Sequence, residues 1–241
     1  RITQLGLNAS YTQMISDELF IGIGAQIAVG QRALSPNQLT YGEQWNGDVF
    51  DQNISHTEVF DRENMNMTSL SAGLNIHYQI EDTRTKFDAG FSAYHINQPQ
   101  ESFFNNPDVV LPMKGHNYAL ATIEIQEKID LRFHVLHSYM GLEFLKNEYS
   151  EIVGGLAARY HLNLERGSEL SVQTGISMRI GDAIIPNVEI QYKSWRVGVS
   201  YDVNISQFEA ATNGKGGPEI SVEYILTKVK PPKVFKACPI F

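Results

Sequence analysis

From Trp195 to Asn204 the chain obeys one rule without a break. Trp195, Val197, Val199, Tyr201 and Val203 are apolar, while Arg196, Gly198, Ser200, Asp202 and Asn204 between them are polar or small. Successive side chains of a β-strand point to opposite faces, so this stretch is a strand with one greasy and one polar side. Val188, Ile190 and Tyr192 against Glu189, Gln191 and Lys193 repeat the rule, as do Ile220, Val222, Tyr224 and Leu226 against Glu219, Ser221 and Glu223. Ile225 alone breaks it. Two architectures make such strands: a soluble sandwich or barrel with the apolar face as its core, or an outer-membrane barrel with that face in lipid and a polar lumen.

The same alternation recurs along most of the chain. Leu5, Leu7, Ala9 and Tyr11 lead to a turn around Ser16 and Asp17. Leu19, Ile21, Ile23, Ala25, Ile27 and Val29 follow, opposed by Phe20, Gly22, Gly24, Gln26 and Ala28. That run of about eleven residues matches a tilted transmembrane strand and is about twice an ordinary soluble one. Gly22 and Gly24 sit inside it, without the strand-to-helix context a phosphate-binding loop needs. Further strands are predicted at Leu70 to Tyr78, Phe87 to Tyr94, His116 to Gln126, Leu131 to Val135, Leu156 to Leu162 and Leu170 to Arg179. Irregular polar segments at Gly30 to Asn66, His95 to Gly115 and Gly141 to Glu151 are predicted as loops, as is a connection through Asp182 and Pro186.

The order of connections selects the membrane architecture. Tight turns are expected near Ser16, Thr83, Glu127, Arg166 and Ser194, with every intervening connection longer. Outer-membrane barrels have short periplasmic turns and longer extracellular loops, whereas Greek-key sandwiches give no reason for such alternation. The fold class expected is therefore all-β, an antiparallel up-and-down transmembrane β-barrel with about eleven strands visible. On this topology the first strand descends, and the even-number rule predicts one or three strands ahead of Arg1, hence about 12 to 14 in the full-length barrel. Residues 1–226 are assigned to the barrel and 227–241 to a periplasmic basic tail containing Lys228, Lys230, Lys233 and Lys236, interrupted by Pro231 and Pro232.

Composition narrows the function classes. The formal net charge of -8 argues against a nucleic-acid binder, whose footprint is a basic face. Cys238 is the single cysteine, so neither an internal disulfide nor a zinc pattern is expected. His134 and His137 have a spacing that sends them to opposite strand faces, poor for a shared metal ion. No Ser, His and Asp set converges from sequence, so no catalytic residue, metal or cofactor is assigned.

Two groups of residues are candidate partner-binding positions. Trp45, Phe50, Phe60, Phe103 and Phe104 lie among the polar residues of the two longest loops, and aromatics in such a setting anchor interfaces. The plain alternative is a solvated lid. Asp182, Asp202, Asn204 and Glu219 lie at strand ends or on the polar face, where pairing with Arg159, Arg179 and Arg196 inside the lumen is favoured over partner binding, because buried charges need counter-charges.

The segment RIGDAIIPNVEIQYKSWRVGVSYDVNISQFEAATNGKGGPEISVEY, Arg179 to Tyr224, closely resembles the C-terminal signature of the PorP/SprF family of Bacteroidetes outer-membrane proteins. FSAYHINQP (Phe91 to Pro99) and GGLAARYHLN (Gly154 to Asn163) resemble weaker family blocks. The resemblance implies an outer-membrane component of the type IX secretion and gliding-motility apparatus, non-enzymatic, acting in export and cell-surface anchoring of large adhesins with type B C-terminal domains. Implied partners are such an adhesin, other type IX components with periplasmic lipoproteins among them, and outer-membrane lipid. A channel or transporter for a small solute is the alternative reading.

Overall fold

The computed structural model describes residues 1–141, 149–165, 167–207 and 214–226. Eleven strands form one sheet in chain order: β1 (Ile2–Met14), β2 (Leu19–Ala33), β3 (Asn64–Gln79), β4 (Lys86–Tyr94), β5 (Lys114–Gln126), β6 (Ile129–Met140), β7 (Tyr149–Asn163), β8 (Leu170–Arg179), β9 (Ala183–Tyr192), β10 (Trp195–Asn204) and β11 (Lys215–Tyr224). Among the described residues no helix is long and apolar enough to cross a membrane. The predicted turn residue Arg166, and Cys238 with the rest of the lysine-rich tail, lie outside the described residues. The chain divides into two compact units, residues 1–123 with 133–154, and residues 124–132 with Gly155 onward.

Burial is inverted relative to a water-soluble protein. On the apolar faces Leu5 is 76% exposed and Ile23 60%, while on the polar faces Ser71 is 8% and Ser171 7% exposed. Soluble strands hide the first kind of residue and show the second. A sheet turned this way needs an apolar solvent, and each antiparallel ladder satisfies the backbone groups that hydrocarbon cannot. The apolar run Leu19–Val29 spans ten rises of about 3.4 Å, which at a tilt of about 40° covers roughly 26 Å, close to the roughly 25 Å apolar band of outer-membrane barrels. Beyond Val29 the same face of the first three strands carries Thr3, Gln31 and Asn66 in one cross-strand row, which marks the band's edge. The fold is that of an up-and-down transmembrane β-barrel, with β1 and β11 as the edge strands of the sheet.

Within the first unit the polar face is packed by pairing small residues with large ones. A methyl group at Gly90 would overlap the Tyr118 ring. Glycine normally weakens a strand, but here it opens the space its neighbour fills. Gly90 and Tyr118 are direct cross-strand partners.

Two expectations are corrected. The strict alternation of short and long connections fails between β8 and β9, which are joined by Ile180, Gly181 and Asp182 alone. Gly181 adopts φ +77° and the Asp182 amide donates to the Arg179 carbonyl at 3.0 Å. Pro186, expected in that loop, lies inside β9 opposite Ile176. A proline has no N–H to give a ladder, and here the β10 pairing passes from Ser200↔Asn187 to Val203↔Ile184 in unchanged register, leaving Pro186 unpaired on that side. Similarly β11 starts earlier than its alternation suggests, with Pro218 opposite Tyr201, tolerable on an edge strand.

Ile23→Arg should destabilise the protein by about 2–4 kcal/mol in lipid vesicles, whereas Gln31→Arg at the edge of the band should cost about 0–1 kcal/mol. Guanidinium unfolding of the two variants checks this; equal costs would contradict the placement of the apolar band.

Candidate functional site

The loop between β2 and β3 is folded by its own side chains. Pro36 opens a 3-10 turn, and Tyr41, 7% exposed, donates its hydroxyl to the Pro36 carbonyl at 2.9 Å. Gln44 is buried in the next turn, where its Oε1 accepts the Tyr41 amide at 2.9 Å and its Nε2 donates to the Gln52 carbonyl at 3.3 Å. Glu43 accepts both the Thr57 amide, at 2.7 Å, and the Thr57 hydroxyl, at 2.5 Å. Those bonds, the hydroxyl's first, hold the Glu43 carboxyl below its ordinary pKa. The His56 ring stacks on Tyr41 with centroids 3.7 Å apart. Asn46 Oδ1 accepts the amides of Asp48 and Val49 at 3.0 and 2.8 Å, closing a tight turn over Gly47. That turn pairs Trp45 with Phe50 through an isolated bridge and leaves them 57% and 41% exposed.

The loop between β4 and β5 is built in the same way. Buried Ser102 accepts the amides of Phe104 and Asn106, each at 3.1 Å, and Gln100 bridges to Val110. Asn97 continues the β3 edge: its Oδ1 accepts the Leu70 amide at 2.9 Å and its Nδ2 donates to the Thr68 carbonyl at 2.7 Å. His95 Nδ1 lies 2.7 Å from Ser69 Oγ, and burial, with a smaller effect from Lys114, holds its pKa below the ordinary value.

These two loops are bound to one another. The Arg62 amide donates to the Phe103 carbonyl at 3.2 Å, the Arg62 guanidinium bonds Asn105, and Arg32 at the end of β2 pairs with Glu101. Phe60 and Phe104 meet with ring centroids 5.1 Å apart. The five predicted loop aromatics thus form two groups, Phe60 with Phe103 and Phe104 at the seam, and Trp45 with Phe50 on one loop. Phe104 remains 54% exposed.

The second unit carries a ladder of charge on its polar face. Asp130, with a side chain 3% exposed, meets His161 at 2.7 Å. Arg132 donates to Gln173 at 2.6 Å. Arg159 donates to Glu189 at 3.0 Å, Arg196 lies 3.4 Å from the same carboxylate and 2.8 Å from Glu223, and Arg179 joins Asp182 at 2.7 Å and Asp202 at 3.3 Å. Asp182 and Asp202 therefore take the luminal pairing that their sequence positions favour. Asn204 Nδ2 donates to the Lys215 carbonyl at 3.4 Å, while Glu219 is exposed on β11 opposite Ser200. The Asp130–His161 pair was not singled out from sequence, although both residues sit at polar positions of alternating strands. The bonds of Gln44, Ser102 and Asn97 had no periodic signal to betray them.

A family model described as type IX secretion system membrane protein PorP/SprF matches residues 1–224. The chain belongs to the PorP/SprF family. Among curated proteins none matches it. PorP/SprF is a secretion-system membrane family and not an enzyme family, which agrees with a site made of structural ion pairs and loop aromatics. With the lipid-facing strands, membership makes this PorP/SprF chain an outer-membrane barrel of the type IX system, with other secretion components as its partners.

The ladder should show the asymmetry of buried ion pairs. Glu189→Met alone, which strands Arg159, should cost about 3 kcal/mol, and Arg159→Met with Glu189→Met much less; equilibrium unfolding of the single and double variants measures the difference. The Glu43 clamp is favourable while the carboxylate is charged, so its contribution is full above the ordinary carboxylate range and disappears as pH falls through the depressed pKa. The protection of the Thr57 amide, its exchange rate relative to the intrinsic rate at the same pH, should therefore fall at acid pH in the native chain, and Glu43→Gln should remove that fall.

Proposed function

We propose that this PorP/SprF barrel acts in the export and cell-surface anchoring of a large adhesin carrying a type B C-terminal domain. The observation that carries the reading is the pair of interlocked loops, which hold Trp45, Phe50 and Phe104 exposed on a scaffold of buried hydrogen bonds. Large aromatics fixed in advance lose little conformational freedom when they meet a protein surface, which makes them efficient anchors. Phe60 and Phe103 group with Phe104 and set its position at the seam. Among the acidic candidates, exposed Glu219 is assigned a contact with the partner; Asp182, Asp202 and Asn204 serve it indirectly by fixing the ends of β8 to β11.

In this reading the two loops face the cell exterior, and the lysine-rich segment beyond Leu226 faces the periplasm, where lipoproteins of the machinery meet it. No chemistry is asked of the chain. It holds its cargo by packing.

Replacing Trp45, Phe103 and Phe104 together by Ala should abolish adhesin retention on intact cells while leaving the heat-modifiable gel migration of a folded barrel unchanged. Antibody labelling of the surface adhesin measures retention, and undiminished labelling in the triple variant would dismiss the loops as the anchor.

A further inference from the structure

The polar face of β1 to β4 differs from that of the second unit in carrying no charge over most of its height. Between the Ile2↔Arg32 row and His77, the polar-face positions of β1, β2 and β3 hold no Asp, Glu, Lys or Arg. Here lies a cavity of about 280 Å³, with Asn8, Ser10, Gln26, Ser71, Ser92 and Tyr94 around it and Gly24 and Gly73 as its floor. Its polar groups are poorly used within the chain. Ser71 is 8% exposed, and its hydroxyl reaches only Gln26 Oε1 at 3.5 Å, longer than a good hydrogen bond. Asn8, Ser10 and Ser92 side chains hydrogen-bond no other described residue.

The floor points the same way. At Gly22 and Gly90 an added Cβ would strike Asn75 and Tyr118, so packing within the sheet demands glycine there. At Gly24 it would meet nothing closer than the Ala9 carbonyl at 3.7 Å and Ser10 at 3.9 Å. The strand bears the weakening that glycine brings without any contact of its own in return. Space above Gly24 is thus kept clear for something outside the sheet.

We infer that this cavity binds an uncharged, extended stretch of polypeptide. A charged ligand would find no counter-charge in this lining. Peptide groups are neutral, carry a donor and an acceptor at every residue, and match the paired donor and acceptor of the Asn8 and Gln26 amides. Glycine on the floor lets a main chain approach closely. A sugar would call for a free aromatic face, but Tyr94 is engaged edge-to-face with His116 at 5.4 Å. Crossing β1 to β4, about 14 Å at the usual strand spacing, takes about four extended residues. This site is separate from the loop aromatics and does not depend on their role in adhesin retention.

The test is fluorescence anisotropy of the purified full chain in detergent with a labelled, end-blocked peptide of Gly, Ser and Asn. Saturable binding is expected, weakened about tenfold by Gly24→Leu, which fills the cavity, and about fivefold by Gln26→Ala. A peptide of equal length with alternating Asp should bind at least about tenfold more weakly. The inference is overturned if the native chain shows no saturable binding, if the Asp peptide binds equally, or if maltohexaose displaces the neutral peptide. Should Gly24→Leu not reach the heat-modifiable folded form, Gln26→Ala decides alone, and an unchanged affinity there overturns the inference.

Discussion

Every feature of this protein depends on backbone hydrogen bonding in a place without water. In hydrocarbon an unpaired peptide group costs several kcal/mol, so the strands are long, antiparallel and paired with their sequence neighbours, as the order β1 to β11 records. Once the ladder is fixed, side chains have only two directions to take. Those with nothing to offer a hydrogen bond face the lipid, and everything with chemistry collects on the other side. The fold thus sorts residues before any function enters.

That sorting explains why the polar face resembles the core of a soluble protein in its rules but not in its composition. Serines, Gln173 and Asp130 are buried there, and the partly buried charges beside them obey the requirement that they be partnered. Arg179 between Asp182 and Asp202, and Glu189 between Arg159 and Arg196, are the result. Glycine opposite tyrosine does there what alternating large and small apolar residues do in an ordinary core. The two units use this face differently: the second relies on ion pairs, whereas in the first the polar face of β1 to β3 is mostly neutral amides, hydroxyls and glycine.

Period-two alternation made the strands legible because hydrocarbon enforces it at every step; Leu19 to Val29 could hardly be anything else. It failed where the backbone departs from the rule for local reasons. Pro186 reads as a breaker, yet a gap in the β10 ladder, with the register kept on both sides, accommodates it inside β9. The three-residue turn at Ile180 to Asp182 hid behind that misplaced proline. Of the candidate residues, Asp182 and Asp202 were legible as counter-charges for one of three arginines, and it is Arg179 that takes both. The loop aromatics were visible as a composition, but their arrangement rests on Gln44, Asn46 and Ser102, whose bonds join residues at irregular spacings that no pattern announces. Membership in PorP/SprF was readable in the stretch from Arg179 to Tyr224, and the match over residues 1–224 bears it out.

The scaffold beneath the exposed aromatics is assembled chiefly from uncharged donors and acceptors: a glutamine, two asparagines, a serine and a tyrosine hydroxyl. Screening acts on separated charges, and in about 1 M salt it confines their influence to roughly 3 Å. Bonds between neutral groups are largely indifferent to it. A bacterium passing between fresh and brackish surroundings would carry these loops from one medium to the other with their outline essentially unaltered.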